Sequence, residues 1–509
     1  MTPAGASAAR RWAAVAALGV VTVACLLLGT GLGTGAGRGA GDNGDGARLY
    51  CGAGLTPDTV DGSAAWKGVV VTSFVATDQP CPSPLPTSAL LPLRLAVAGQ
   101  VGPWDLSSLA TLYVALTTVG LLAAAAALAR IRPRMVLLLL PIVVPLALPW
   151  FSRFFLSTYS EPTGLLGAVI LLSGVVTVAA AADGPAWPRL AGLALTLLGG
   201  ATAATAKPGY AVLALVALGV GALTRAPRSR LAGAAIAVAV TAAVAWPVGA
   251  ALQWQQEAYG AVNTHNLVLT AVGPASGGDA LAHLGLPASY RAYLGTAYFP
   301  SGPSAFEDWD GVVGEQWPRL RGEAVGYVLT HPATASSLAD TGLRAATDPS
   351  LAYLPSGRAD DPSARPTPIP TVPVGEQGAD RPTLERWLGE RSIVPSIVVL
   401  AAGVAQTVVV IRGRRRCGRA ATALAAAGAA AVAGGALVVA AAVAGDGYFE
   451  IAKHVWLASY LGLVGLLAGV ATAAACLLHR RGRPVPGREG DDAEDDSRSS
   501  VPVRPVPRR

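Results

Sequence analysis

Charge is what this sequence has least of. Of its 509 residues, 14% are Asp, Glu, Lys or Arg and 52% are hydrophobic. A soluble chain carries roughly a quarter charged residues, so the deficit points to lipid as the solvent. Lysine is almost absent: Lys67, Lys207 and Lys453 are the full complement among 38 Lys and Arg. With 60 Gly and 38 Pro in an Ala/Val/Leu background, that skew reflects GC-rich coding. Alanine runs and Arg-for-Lys choices therefore carry little functional information. The five cysteines form no CxxC pair and no Cys/His zinc spacing. The net charge of +7 calls for no nucleic-acid partner, because arginines that orient helix ends account for it.

Long apolar runs are abundant. A helix needs about 20 apolar residues to cross the hydrocarbon core. The runs that qualify are Trp12–Thr34, Leu106–Ala129, Met135–Phe151, Thr163–Ala182, Leu190–Ala206, Tyr210–Leu223, Leu231–Leu252, Ile393–Ile411, Ala420–Ala444 and Val455–Leu478. The sixth is short, and the third carries Pro141, Pro145 and Pro149, which neighbouring helices in a bundle tolerate. The expected fold is an all-α polytopic membrane protein of about ten transmembrane helices with two sizeable extracytoplasmic loops.

Arginines set the expected orientation. Arg10 and Arg11 precede the first span, Arg130, Arg132 and Arg134 follow the second, and Arg189 follows the fourth. Arg225, Arg228 and Arg230 follow the sixth, Arg412 to Arg419 the eighth, and Arg480, Arg481 and Arg483 the last. Every second connection is basic, which puts both termini on the cytoplasmic face of the cell membrane. The first span resembles a signal peptide at its basic start, but its apolar stretch is longer than such a region needs, favouring a retained helix. The chain then divides into an N-terminal segment and first helix (1–34), a first outer loop (35–105), helices two to seven (106–252), a large outer loop (253–391), helices eight to ten (392–478) and a cytoplasmic tail (479–509). The tail is acidic and then Pro/Arg-rich, and nothing apolar would fold it.

The chemistry gathers in the outer segments. Asp42 and Asp45 lie within seven residues of Arg48, close to the end of the first span. A carboxylate near a low-dielectric boundary is pushed up in pKa and a neighbouring arginine pulls it down, a balance that suits a general base. A polar Gly/Asp/Asn turn explains the same residues equally well. Glu161 stands before Pro162, where a helix cap accounts for it. Lys207 is harder to dismiss, because a cation on the outer side opposes the charge bias and attracts a phosphate. The last outer turn holds Asp446, Glu450, Lys453 and His454, with Glu450, Lys453 and His454 at helical spacing for an ion pair. Cys51 and Cys81 share the first loop, where a disulfide persists, although two free thiols remain an alternative. His265, His283 and His331 lack the paired spacing of a metal site, so no metal ligands are assigned. The loop aromatics Trp254, Tyr290, Tyr293, Tyr298, Trp309, Trp317 and Trp387 fit sugar stacking and membrane-interface anchoring alike. Leu90–Val101 is apolar but too short to span, and reads as an interfacial helix.

Eight short motifs recur in order along these segments. They are Asp42-Asn43-Gly44-Asp45 with Arg48, Tyr159-Ser160-Glu161-Pro162, Lys207-Pro208, Asn263-Thr264-His265-Asn266, Leu284-Gly285-Leu286-Pro287, Gly295-Thr296-Ala297-Tyr298, His331-Pro332 and Lys453-His454. Together they resemble the bacterial glycan-biosynthesis hexose-transferase-like membrane proteins of the GT-C superfamily. Those are polyprenyl-phosphate-sugar glycosyltransferases related to protein mannosyltransferases, and the resemblance covers nearly all of residues 12–478. Gly46 and Gly209 depart from it, standing where relatives tend to have an aromatic and an amide, and the Pro-rich stretch near Asp360–Pro382 is an added elaboration.

The resemblance implies a polyprenyl-phosphate-linked sugar as donor and a cell-envelope glycan or protein as acceptor. It implies an inverting transfer in which Asp45, or else Asp42, takes the acceptor proton. Arg48, Lys207, Lys453 and His454 would hold the lipid phosphate. Asn263 and His265 would line the acceptor side, with Tyr159 and Glu161 in support and Glu161 positioning Lys207. No cofactor is required, and whether a divalent ion assists stays open. A glycolipid flippase or a membrane scaffold is the competing reading. The absence of a repeat between the two halves, and of mid-span ionisable residues, argues against ion-coupled transport.

Overall fold

The computed structural model describes residues 3–33, 39–58, 69–82, 84–224, 230–299, 302–347, 349, 351, 354, 394–412 and 414–481. Residues 482–509 of the expected tail, the Pro-rich stretch of the large loop and Trp387 lie outside the described residues, while 479–481 end the last helix. The principal helices are α1 (Pro3–Thr30), α2 (Ser107–Ile131), α3 (Glu161–Ala180), α4 (Ala186–Ala206), α5 (Leu213–Leu223), α6 (Arg230–Asn266), α7 (Trp317–Thr330), α8 (Pro332–Ala345), α9 (Val394–Arg412), α10 (Arg414–Asp446) and α11 (Trp456–Arg481). The protein is an all-α polytopic membrane protein.

Among the described residues, seven helices are long and apolar enough to cross a membrane, and a bent pair raises the number to eight. The ten expected spans differ from this for local reasons. The third breaks into Pro133–Ala147 and Pro149–Leu156, bent by 76°. Leu148 is extended (φ −82°, ψ 125°) because it precedes Pro149, and a proline disfavours helix in the residue before it. The backbone carbonyls near this bend are bonded from neighbouring side chains. Tyr460 donates to Ile142 O and Trp456 Nε1 to Trp150 O, both at 2.8 Å, as burial in lipid requires. The sixth span, α5, is 11 residues long and too short alone. The seventh is the N-terminal part of the 37-residue α6, which runs on into what the sequence suggested was loop. The stretch expected at the interface forms a helix over Leu90–Val97 that ends at Ala98, which is extended.

Helices α3 and α4 pack most intimately, and the reason is a seam of glycines. Gly167 and Gly174 face Gly199 and Gly192 across the pair. A methyl group on Gly199 would overlap Leu171 N and Gly167 O, and one on Gly174 would overlap Thr196 N and Gly192 O. Small residues let the backbones meet, which is how helices associate where lipid removes the hydrophobic drive. The pair brings Glu161, at the start of α3, opposite Lys207, just past the end of α4. We expect Gly199→Leu to splay the pair, lowering the thermal midpoint and costing roughly 1–3 kcal/mol, an overpacking penalty. A midpoint equal to wild type in matched detergent would refute the seam.

At the same end lies a small antiparallel sheet of β1 (Leu55–Pro57), β2 (Ser73–Ala76) and β3 (Trp104–Asp105), in the order β1-β2-β3. Cys51 and Cys81 are disulfide-bonded beside it, with Cα atoms 5.2 Å apart. Tyr50, Phe74 and Trp104 pack together with tilted rings, centroids 5.3 and 5.7 Å apart. The described residues of the first loop are therefore a folded cap on the bundle. Arginines sit at the other ends of these helices: Arg130 in the last turn of α2, Arg189 in the first turn of α4 and Arg412 in the last turn of α9.

Candidate functional site

Polar residues of the segments expected outside converge on one cavity of about 360 Å³ between the ends of α3, α4, α6 and α10. Its wall includes Asp45, Arg48, Tyr159, Glu161, Lys207, Asn263, Asn266, Arg321, Asp446, Glu450 and His454. Apolar residues Leu85, Val212 and Leu252 also line it.

Asp45 lies on this wall, and Lys453, which is not among the lining residues, holds it from behind. Lys453 is fully buried, and its Nζ lies 2.5 Å from Asp45 Oδ2 and 2.5 Å from Glu450 Oε2. The Arg48 guanidinium is 3.5 Å from Asp45 Oδ1 and also covers the Tyr259 ring at 4.3 Å. Burial alone would raise the Asp45 pKa, but the Lys453 and Arg48 charges outweigh it and hold the carboxyl well below its ordinary range. Asp45 is therefore ionised throughout the physiological range, with its side chain about one-third exposed (33%).

Asp42 sits differently. It is buried, and its Oδ1 accepts from the Gly44 and Gly46 amides at 2.7 and 3.1 Å, closing the loop that presents Asp45. Its Oδ2 has no hydrogen-bond partner, and Asp42 is not on the cavity wall. Burial pushes its pKa from 3.8 up to about 6, against the two amide bonds that lower it. The folded state thus holds a proton that the unfolded chain releases near pH 4. Stability from this group is complete below about pH 4 and is lost as pH rises through about 6. Asp42→Asn keeps the amide-accepting oxygen and should flatten that slope, as unfolding midpoints taken from pH 4 to 7 will test.

Gly46, where the resemblance implies an aromatic, has no room for one. A methyl group there would overlap Asp42 Oδ2 and lie 2.5 Å from Thr158 Oγ1. At Gly209 a methyl group would meet nothing within 4 Å, so that site is open space at the cavity wall.

The loop is locked to the last outer turn across the length of the chain. Asn43 Nδ2 donates to Glu450 Oε1 at 2.5 Å, and the Asn43 amide donates to the Tyr159 hydroxyl at 2.9 Å. Glu450 adopts a left-handed backbone (φ 46°, ψ 32°), a conformation a non-glycine residue holds only when its surroundings enforce it. Lys207 Nζ meets Glu161 Oε1 at 2.7 Å, as the sequence suggested.

His454 pairs with Asp446, Nε2 to Oδ2 at 3.4 Å. Asn263 lines the cavity, but His265 does not. His265 is enclosed by Tyr298, Phe306 and Trp309, and its Nδ1 accepts from Trp309 Nε1 at 3.0 Å. Burial lowers its pKa to about 4, so it is a neutral packing residue rather than a ligand on the acceptor side.

Sequence reasoning did not assign Asn266, Phe299, Arg321, Asp446, Phe449 and Glu450 to the site. Asn266 did stand inside a recognised motif, and Asp446 and Glu450 in the last turn that the sequence singled out for an ion pair, whereas Arg321 carries no local signal. Among the described residues, no group of three or more His, Cys, Asp or Glu is arranged to hold a metal ion.

The model of one family, the YfdI N-terminal transmembrane domain, matches residues 6–482. A search of curated proteins finds no match, and a search of solved structures finds none.

Proposed function

Since the chain belongs to the YfdI N-terminal transmembrane domain family, its cavity lies in a membrane-embedded bundle, and we infer that this cavity is the active site of a glycosyltransferase. The donor is a sugar on a polyprenyl phosphate in the outer leaflet of the cell membrane, and the acceptor is a hydroxyl of a cell-envelope glycan or protein. The observation that carries this reading is an ionised carboxylate, Asp45, held by Lys453 and Arg48 on the wall of a cavity that also presents Lys207.

The acceptor oxygen attacks the anomeric carbon from the face opposite the lipid phosphate. The bond from that carbon to the phosphate oxygen breaks, and the phosphate leaves with the electron pair. The acceptor proton passes to Asp45. A carboxylate of depressed pKa is a weak base, which suits a transition state in which the leaving bond is largely broken before the proton moves. Phosphate needs no general acid, and the cations Arg48 and Lys207 stabilise the charge it acquires. Each is already partnered by a carboxylate or ring, so they are oriented before the lipid arrives. Leu85, Val212 and Leu252 give the polyprenyl chain an apolar approach to this cluster.

Proteoliposomes of the full chain, loaded with radiolabelled polyprenyl-phosphate hexoses and offered cell-envelope glycan, test the reading. Label in the glycan, dependent on the protein, supports it. Label that crosses the bilayer without any product formed assigns the cavity to transport instead.

A further inference from the structure

The geometry points to a second, distinct wall of the cavity as the subsite that recognises the sugar itself: Asn266, Asp446 and His454, with the rings of Phe299 and Phe449 beside them. This rests on the transferase reading and adds to it the part of the donor that the cationic cluster leaves unread.

These residues stand apart from the Asp45–Lys453–Glu450 group in the ion pairs they make. Asp446 Oδ1 accepts from Asn266 Nδ2 at 2.8 Å, and its Oδ2 faces His454 Nε2 at 3.4 Å. Asn266 is itself fixed, because its Oδ1 accepts from the Tyr298 amide at 2.9 Å, which also settles which end of the amide faces Asp446. The backbone is held just as firmly. Gly447 packs its left-handed turn (φ 59°) against Asn266 O, where a methyl group would come within 2.5 Å. Thr270 Oγ1 donates to Asn266 O at 2.6 Å and accepts from the Tyr448 amide at 2.8 Å. The helix α6 passes into a π turn over Leu267–Val272 at this point, a local widening that recurs at functional sites. A carboxylate so firmly placed, with a side chain 15% exposed at a cavity wall, is preorganised for a ligand.

Its chemistry selects the ligand. Asp446 is bonded by an amide and faces an imidazole, with the Arg321 charge nearby, so what this wall offers a ligand is acceptor oxygen for hydroxyl groups. An ionised carboxylate offers about four lone-pair positions, and the two contacts above leave others to accept from hydroxyl groups. Phe299 is 39% exposed, unusual for a phenylalanine beside so polar a wall, and its ring lies 6.0 Å from that of Phe449. An acceptor of hydroxyl protons next to an exposed aromatic face matches a pyranose, whose hydroxyls bond outward while its C–H face covers a ring. Sharing one cavity with Lys207 and Arg48, the wall takes the sugar whose phosphate those cations hold.

The test compares ligands that differ in the sugar alone. The full chain in nanodiscs is titrated with decaprenyl phosphate and with its glucosyl, galactosyl and mannosyl forms. At least one sugar form should bind roughly tenfold tighter than the bare phosphate, the scale of one or two hydrogen bonds to a charged group. Asp446→Asn keeps the bond from Asn266 but turns one acceptor oxygen into a donor, and Phe299→Ala removes the ring. Each should abolish the sugar preference; Phe299→Ala should leave the bare-phosphate affinity as it was and Asp446→Asn should leave it unchanged or raise it, which also shows that the variants are folded. A preference that survives both substitutions overturns the subsite. A wild type that binds all four lipids equally also overturns it, while leaving the phosphate cluster in place. A wild type that binds none of them removes the transferase reading together with the subsite.

Discussion

Asp45→Asn should transfer sugar on the order of 10²–10⁴-fold more slowly than wild type, the span over which a positioned general base acts. The substitution is nearly isosteric and leaves Lys453 its bond to Glu450 at 2.5 Å, so the loss is chemical rather than structural. Asp42→Asn makes the comparison sharp. Asp42 has the pKa that a base at neutral pH would favour, about 6, but it is buried off the cavity and spends its accessible oxygen on the Gly44 and Gly46 amides. Geometry decides ahead of pKa, because a base out of reach of the acceptor hydroxyl transfers nothing. Asp42→Asn should therefore keep transfer close to wild type while altering stability with pH. Initial rates from membranes carrying each variant at equal expression separate the two. Equal rates for Asp45→Asn and wild type would remove Asp45 as the base, and a large loss in Asp42→Asn alone would exchange their roles.

The sequence made the bundle legible wherever twenty apolar residues ran without interruption, and less legible wherever proline intervened. Pro149 turns an expected span into two segments bent by 76°, because its missing donor and its effect on Leu148 act on the backbone, not on hydropathy. At the site, Lys207 was visible as a cation against the arginine bias, and it meets Glu161 at 2.7 Å. Lys453 was visible too, but as one half of a helical ion pair with Glu450. That pair exists, yet the decisive partner is Asp45, 408 residues away. Nothing local announces such a contact. Nor does the sequence show that Glu450 lies in the left-handed region, which lets one carboxylate serve both Asn43 and Lys453. Arg321 lies on a helix of the outer loop and reaches the wall only because α7 docks there, with its guanidinium donating to Ala444 O at 3.3 Å.

Lys453→Met should be the most destabilising single change at the site. The wild-type ammonium is wholly buried between Glu450, 4% exposed at its side chain, and Asp45. Methionine fills the same volume without the charge, which leaves Glu450 an uncompensated buried anion. Removing one partner of a buried ion pair costs about 3–5 kcal/mol, far more than the net contribution of the intact pair. Asp45 contributes less to this penalty, since solvent reaches a third of its side chain. The origin of the cost predicts its cure. Adding Glu450→Gln to Lys453→Met removes the stranded charge, and the amide still accepts from Asn43 Nδ2, so the double variant should unfold at a higher temperature than Lys453→Met alone. The single variant should also recover as pH falls. A buried carboxylate without its cation has a raised pKa in the folded state, so folding takes up a proton and acid favours it. Unfolding midpoints of wild type, the single and the double variant at two pH values contain the full argument. If the double variant is the least stable of the three, Lys453 acts through packing and not through its charge. If it ranks between the others yet transfers no sugar, the stabilising and catalytic roles of the lysine separate. The cation is then needed twice, once to make a buried glutamate tolerable and once to keep Asp45 ionised at the cavity wall.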